Sequence, residues 1–430
     1  MPITVGIDGY NLALANGTGI ATYSRTLAAT IARLGWSRLG LFGVDSGSDR
    51  ALQEILFFER LMRPPVKRKF SPDWLRLKLG GIPKLEEISL GSVDTQPLSA
   101  QIPKFNRIVT GNALFQAAFR QFSKTGKIAT IQIAQPPQIM HWTCPIPLKV
   151  AGSINVYSVH DMVPLRMPYM TLDDKRLHHA LVSACVSAAD HLCAVSEYSA
   201  KELIDLFPAA SGKVTTTYQT CDITDYISDL SDREGREFIT CLGLQPDGYF
   251  LFYGALEPKK NIPRLIEAYM RLGSETPFVV VTGRSWNSEA ENNILKRLSR
   301  ESGKVIVLEY LTRGMLQYLI ANARAVTLPS LHEGFGLPIL EAMQMGVPVL
   351  TGNSGGVIEV AGEGGIQVSP YDVVAIRDAL ARLDGDPNFR HEMARKGRIQ
   401  ANKFSPENYA RTMHATYEKL LTKVGHHGVR

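Results

Sequence analysis

Residues 328–350 of this 430-residue chain read LPSLHEGFGLPILEAMQMGVPVL. The pattern predicts a buried strand ending near Leu328, a tight loop at Gly334, Phe335 and Gly336, and a helix starting at Leu337 or Pro338. Proline suits a first helical position because it has no amide hydrogen to leave unpaired there. A glycine loop feeding a helix start is an anion site: backbone N–H groups point outward and the helix dipole adds partial positive charge. The expected ligand therefore carries phosphate. Glu333 lies in the loop and Glu341 a turn inside the helix, so the two carboxylates can grip two parts of one ligand. A bare pair of glutamates eight positions apart is common on solvated helices. The glycines, the proline and the Met-Gly-Val-Pro-Val exit distinguish this one.

The chain is too long for one compact core, so two domains are expected. No apolar run approaches the ~20 residues that span a bilayer. The N-terminus lacks the basic and apolar regions of a secretory signal, and residues 3–7 read instead as a first strand. Five cysteines, Cys144, Cys185, Cys193, Cys221 and Cys241, form no C-x-x-C pair. Scattered and odd in number, they point to reduced thiols and a cytoplasmic location. No metal cluster is written into the sequence pattern. The net charge of +6 is uneven: residues 51–150 hold 14 Lys/Arg and 6 Asp/Glu, a balance of +8, which leaves −2 for the rest.

In the N-terminal half, Thr4–Asp8 reads as a buried parallel strand, followed by a loop with Gly17 and Gly19 and a helix over 20–34. Strand, glycine loop and helix form the opening of a Rossmann unit, whose loop can approach a diphosphate. Residues 58–84 interleave Arg63, Lys67, Arg68, Lys69, Arg76 and Lys78 with Phe58, Phe70, Trp74 and leucines. Such a stretch suits an anionic membrane surface, a nucleic acid, or a solvated loop beside a half-buried helix. His141 ends a strand-like segment, where a structural histidine outweighs one facing a ligand. His160 follows the strand at 156–159, at the kind of carboxyl end where ligands collect in open α/β sheets. Asp161 reads as the cap of the following turn.

The C-terminal half opens with a strand at 249–253, then the loop GALEPKKN and a helix over Ile262–Leu272. Lys260 adds a full charge near that helix start. Arg284 follows the strand at 278–281, and Tyr310 follows the strand at 305–308. Glu359, after a glycine turn at 352–356, reads as structural. A long helix from Pro406 ends the chain.

These segments resemble glycosyltransferase family 4, whose members are retaining enzymes of the GT-B architecture. The resemblance implies an α/β fold of two facing Rossmann-like domains with parallel sheets and a C-terminal helix crossing back to the first domain. The expected boundaries are 1–225 for an acceptor-side domain, 226–405 for a nucleotide-sugar domain and 406–430 for the crossing helix. It implies that Glu333 contacts the donor sugar, that Glu341 binds the ribose, and that Gly334, Phe335, Gly336 and Leu337 supply main-chain donors. Lys260 would neutralise the pyrophosphate, His160 would hold the sugar, Gly17 and Gly19 would bind near the diphosphate or acceptor, and Tyr310 would border the base. Relatives often carry an arginine where this chain has Ala255, and Arg284 is the candidate substitute. The usual Pro-Asn-Gly turn is replaced here by Gln219, Thr220, Cys221 and Asp222.

The implied reaction moves a hexose from a nucleotide-sugar donor to a saccharide or lipid-linked saccharide acceptor in bacterial surface polysaccharide synthesis. It needs no cofactor or metal. The loop at 256–261 and the LHEGFG run resemble mannosyltransferases, which makes GDP-mannose the expected donor. A lipid-linked acceptor directs residues 58–84 toward the membrane rather than nucleic acid, giving a cytoplasmic protein peripheral to the inner face of the membrane. The alternative is a catalytically inactive sugar-nucleotide or glycan-binding partner subunit, favoured by Ala255 and the altered turn. An NAD-dependent oxidoreductase fits poorly, because no acidic residue ends a second strand about twenty residues after the first glycine loop.

Overall fold

The computed structural model describes residues 3–13, 19–62, 81–99, 101–221, 231–283, 293, 295, 297, 303–309 and 311–427, with 424–427 as backbone only. The chain forms two compact units. The first comprises Met1–His160, Asp174–Thr217 and Tyr409–Arg430, and the second Asp161–Asp173 and Tyr218–Asn408. Compared with the expected boundaries, the segment Asp161–Asp173 belongs with the second unit, and the last helix passes from one unit to the other after Asn408.

The first unit contains β1 (Thr4–Asp8), β2 (Ser37–Phe42), β3 (Glu86–Ile88), β4 (Arg107–Thr110), β5 (Ala129–Ile131), β6 (Ile139–Trp142), β7 (Leu148–Val150), β8 (Ile154–Val159), β9 (His191–Ala194) and β10 (Val214–Thr216). Eight of them form one sheet in the order β10-β9-β8-β6-β1-β2-β4-β3. Only β3 runs antiparallel, at the edge against β4. All six residues of β8 (INVYSV) are buried, as a strand of a parallel sheet covered on both faces requires. Strand order reverses between β1 and β6, so the loops after Asp8 and Trp142 diverge at the place where such sheets take ligands.

The helix Pro406–His427 closes this unit. Tyr409, Met413, Tyr417 and Leu420, spaced three or four apart, join the core cluster of Val5, Ile7, Tyr23, Leu27 and Val156. His141 is fully buried and pins the helix down. Its Nδ1 lies 2.6 Å from the Tyr417 hydroxyl, and its Nε2 lies 2.6 Å from Ser158 Oγ and 3.3 Å from the Tyr23 hydroxyl. His141 is therefore structural rather than ligand-facing. It joins two strands, the first helix and the last.

The second unit contains β11 (Phe250–Tyr253), β12 (Phe278–Thr282), β13 (Val305–Glu309), β14 (Ala325–Leu328), β15 (Val349–Gly352) and β16 (Ile366–Val368). They form an all-parallel sheet in the order β13-β12-β11-β14-β15-β16. From β11 the chain builds outward one way, and from β14 it builds the other way. The reversal between them sets the loops 254–261 and 329–336 side by side.

Burial, and then the charges of His160 and His191, push His141 down to about 3. Its folded pKa lies below its unfolded value, so its contribution to stability is complete above about 6.5 and is lost as pH falls toward 3. Between pH 7 and pH 5 the stability difference between the parent protein and His141→Gln should shrink by about 2 kcal/mol. Denaturant unfolding at the two pH values measures it, and a difference that holds constant contradicts a buried neutral imidazole.

Candidate functional site

The glycine loop and helix stand as the sequence predicts. Leu337–Gln344 is a helix with Gly336 as its N-cap at φ 107° and a proline in its first turn. Any side chain at position 336 would be strained at that φ, and its Cβ would lie 2.9 Å from Val357 Cγ2. The Leu337 amide heads the helix, where no intrahelical acceptor exists. The Phe335 ring is buried 5.6 Å from Phe404 and 6.4 Å from Tyr218, centroid to centroid, which fixes the loop from beneath. Glu333 is held by its own backbone: it bridges Gly355, and its carbonyl accepts from the Gly356 amide at 2.7 Å. The approach is so close that a Cβ at position 355 would stand 2.3 Å from the Glu333 carbonyl oxygen.

Two contacts fasten this loop to the one carrying Lys260. The Leu331 amide donates to the Lys259 carbonyl at 2.8 Å. Asn261, buried and left-handed at φ 61°, donates from Nδ2 to the carbonyls of Pro329 at 3.0 Å and Pro370 at 2.6 Å. With the backbones so fixed, Lys260 Nζ meets Glu333 Oε1 at 2.6 Å, with side-chain exposures of only 13% and 9%. Burial alone would raise the Glu333 pKa. The charges of Lys260 and Lys259 outweigh it and hold the carboxyl below its ordinary range.

Lys259 is also drawn in. Its ammonium lies 3.5 Å from Asp161 and 3.6 Å from Glu257. Burial opposes its charge, but Asp161, Glu333 and Glu257 more than compensate, and its pKa is raised. Asp161 also accepts from the Val163 amide at 3.1 Å, capping the turn as expected. Val163 and Met167 pack on Leu331, so the segment Asp161–Asp173 rests on the glutamate loop.

Glu341 is half-buried on the first turns of its helix. The Tyr253 hydroxyl, at the end of β11, lies 2.7 Å from the Pro338 carbonyl and 3.0 Å from Glu341 Oε2. Its single hydrogen serves one of them at a time. Burial raises the Glu341 pKa, against the Tyr253 hydrogen bond and the charge of Arg313.

Lys260, Glu333, Gly334, Phe335, Gly336, Leu337 and Glu341 thus belong to two adjoining loops and one helix start in the second unit. His160 is in the first unit, after β8, with Nε2 2.8 Å from the Thr143 carbonyl and its ring edge-on to Tyr23 at 4.9 Å. Gly19 begins the helix Gly19–Arg33 and has open space where a Cβ would stand. Gly17, Arg284, Tyr310 and most of the basic and aromatic stretch, residues 63–80, lie outside the described residues. Three features escaped the sequence reading: Tyr253 on Glu341, the tie from Lys259 to Asp161, and the backbone bridge from Glu333 to Gly355. Each joins positions far apart in the chain. The Glu359 carbonyl accepts from Gln400 Nε2 at 2.9 Å.

Residues 243–400 match the family model described as glycosyl transferases group 1. Over 247 residues the chain is 37% identical to O-antigen chain mannosyltransferase B of Escherichia coli, covering 56% of this chain and 62% of that protein. It is 30% identical over 288 residues to the serotype-specific mannosyltransferase WbdA of E. coli, covering 65% of this chain and 35% of that one. The matched segment thus spans less than two thirds of each relative. Anabaena HepE, solved in complex with UDP and glucose, has the same fold, with a TM-score of 0.65 at 15% identity over 97% of this chain and 100% of that one.

Asn261→Gly removes the clamp but keeps a residue at ease at φ 61°, whereas Asn261→Ala removes the clamp and adds left-handed strain. The glycine variant should lose about 1–3 kcal/mol and the alanine variant about 1–2 kcal/mol more. Urea unfolding followed in the second unit tests the order; equal losses would show that the left-handed backbone carries no strain. Residues 243–400 thus match group 1 glycosyl transferases, the chain as a whole has the GT-B fold, and it resembles bacterial O-antigen mannosyltransferases.

Proposed function

We propose that the protein is a retaining hexosyltransferase that moves mannose from GDP-mannose to a saccharide or lipid-linked saccharide acceptor in bacterial surface polysaccharide synthesis. The observation that carries this reading is the buried pair of Lys260 and Glu333 at 2.6 Å, beside the glycine-loop helix start. The choice of mannose follows the two E. coli relatives, which are named as mannosyltransferases.

In this reading the leaving group is a nucleoside diphosphate whose charge grows as the glycosidic bond breaks. Lys260, the helix dipole and the loop amides stabilise that charge where it develops. Glu333 holds the sugar hydroxyls. It is not the nucleophile, since attack occurs on the face from which the diphosphate departs and a phosphate oxygen takes the acceptor proton. Glu341 accepts from the ribose hydroxyls, and Tyr253 sets its orientation. His160 keeps the sugar-contacting role that the resemblance gives it. The reaction needs no metal in this scheme, because the lysine and the amides carry the charge compensation.

A non-catalytic sugar-nucleotide-binding subunit is the second reading, favoured by Ala255 in place of the usual arginine. Nucleotide release separates the two. Incubated with GDP-mannose and cell-envelope lipid extract, the protein should release GDP faster than it turns over UDP-glucose or UDP-N-acetylglucosamine. Release should survive EDTA and should fall on the order of 100-fold in Glu333→Gln and in Lys260→Ala. No release from any donor, with or without extract, would favour the binding reading, and full activity in both variants would overturn the site. An α-linked product from the α-linked donor, read by proton NMR, tests retention.

A further inference from the structure

A cavity of about 400 Å³ lies in the first unit, between the sheet and the helix Pro406–His427. His191 and Thr215 line one side, and Arg411, Ala415, Lys419 and Lys423 line the other. His191 is the first residue of β9, and β9 runs parallel to β8. The cavity therefore sits toward the amino end of these strands, whereas His160 follows the carboxyl end of β8. It is separate from every site residue considered above.

The helix wall is a regular device. Positions 411, 415, 419 and 423 fall four apart, so they share one face over about 18 Å. Ala415 leaves room between the cations. Arg411, Lys419 and Lys423 are exposed, and among the described residues no carboxylate pairs with any of them. The helix's own Glu418 lies 3.3 Å from His414. Below the cations the wall carries a hydrogen-bonded polar pair: His191, 8% exposed, has Nε2 2.9 Å from Thr215 Oγ1. Burial and then the charges of Lys419 and Lys423 hold His191 down to about 4, so near neutral pH it is a hydrogen-bonding group rather than a fourth cation. Three like charges along one half-open groove repel one another until an anion enters.

We infer that this cavity binds a phosphate-bearing ligand, with Arg411 and Lys419 as ion-pairing groups, Lys423 at its outer end, and His191 and Thr215 as its polar wall. Arginine forks onto phosphate oxygens and lysine adds a point charge, so a diphosphate reaching two cations gains most. The group can come from a soluble phosphate compound or from a phospholipid headgroup.

Calorimetric titration with inorganic pyrophosphate tests the inference. It is done in the parent protein and in folded Lys260→Ala protein, in which the candidate site of the second unit is weakened. Adding Arg411→Ala and Lys419→Ala should weaken binding at least 10-fold, and Arg411→Lys with Lys419→Arg should retain most of it. Both residues are exposed, and an unchanged melting temperature shows that the fold is intact. Flotation with phosphatidylglycerol vesicles separates the sources. Vesicle binding that the alanine pair abolishes and pyrophosphate displaces marks a headgroup; pyrophosphate binding without such vesicle binding marks a soluble ligand. Pyrophosphate and vesicle binding both unaffected by the alanine pair, or both absent in the parent protein, would overturn the inference.

Discussion

The second unit depends on how closely two backbone loops approach at one sheet reversal. Asn261 and the Leu331 amide join the loop after β11 to the loop after β14, and Gly355 lets a third segment lie against Glu333. The ion pair of Lys260 and Glu333 is a consequence of that stitching. A pair so little exposed is a poor source of stability, because desolvating two charges offsets most of their attraction. Removing one partner, however, leaves a buried charge uncompensated at a cost of about 3–5 kcal/mol. In the proposed function the pair is a site at rest: each group holds the other in place until a ligand offers phosphate to the lysine and hydroxyls to the carboxylate.

The local charges sharpen this reading. Lys259 is already matched by Asp161 and Glu257, so its charge is largely spent on anchoring the segment Asp161–Asp173 and on lowering the Glu333 pKa. That leaves Lys260 as the cation free to change partners. A single lysine is a weak match for a diphosphate on its own. In the proposed function the helix start at Gly336 and Leu337, with its left-handed glycine and first-turn proline, supplies the remaining positive potential.

Much of this was legible in the sequence. The helices Ile262–Leu272 and Leu337–Gln344 and the strands β1 and β14 start and stop where glycine, proline and apolar periodicity place them. The residues gathered at the reversal were readable because strand, loop and helix follow one another locally. β3, β4 and β16 were not read. Asp161 could be read as a turn cap but not as a partner of Lys259, and Tyr253 could be read as a strand residue but not as a partner of Glu341. Those pairings are set by the order of strands in the sheet, which no local pattern encodes. His141 shows the same limit: its type and position fit either a ligand contact or a core, and only the packing of the last helix, carrying Tyr417, decides for the core.

In the proposed function, Lys260 and Glu333 exchange each other for a nucleotide sugar. The most direct measurement is a crystal structure with a nucleoside diphosphate hexose bound. A pyrophosphate oxygen should lie within about 3 Å of Lys260 Nζ, with main-chain donors from the glycine loop on the same group and a sugar hydroxyl on Glu333. A nucleotide bound elsewhere, with the pair of Lys260 and Glu333 undisturbed, would contradict it.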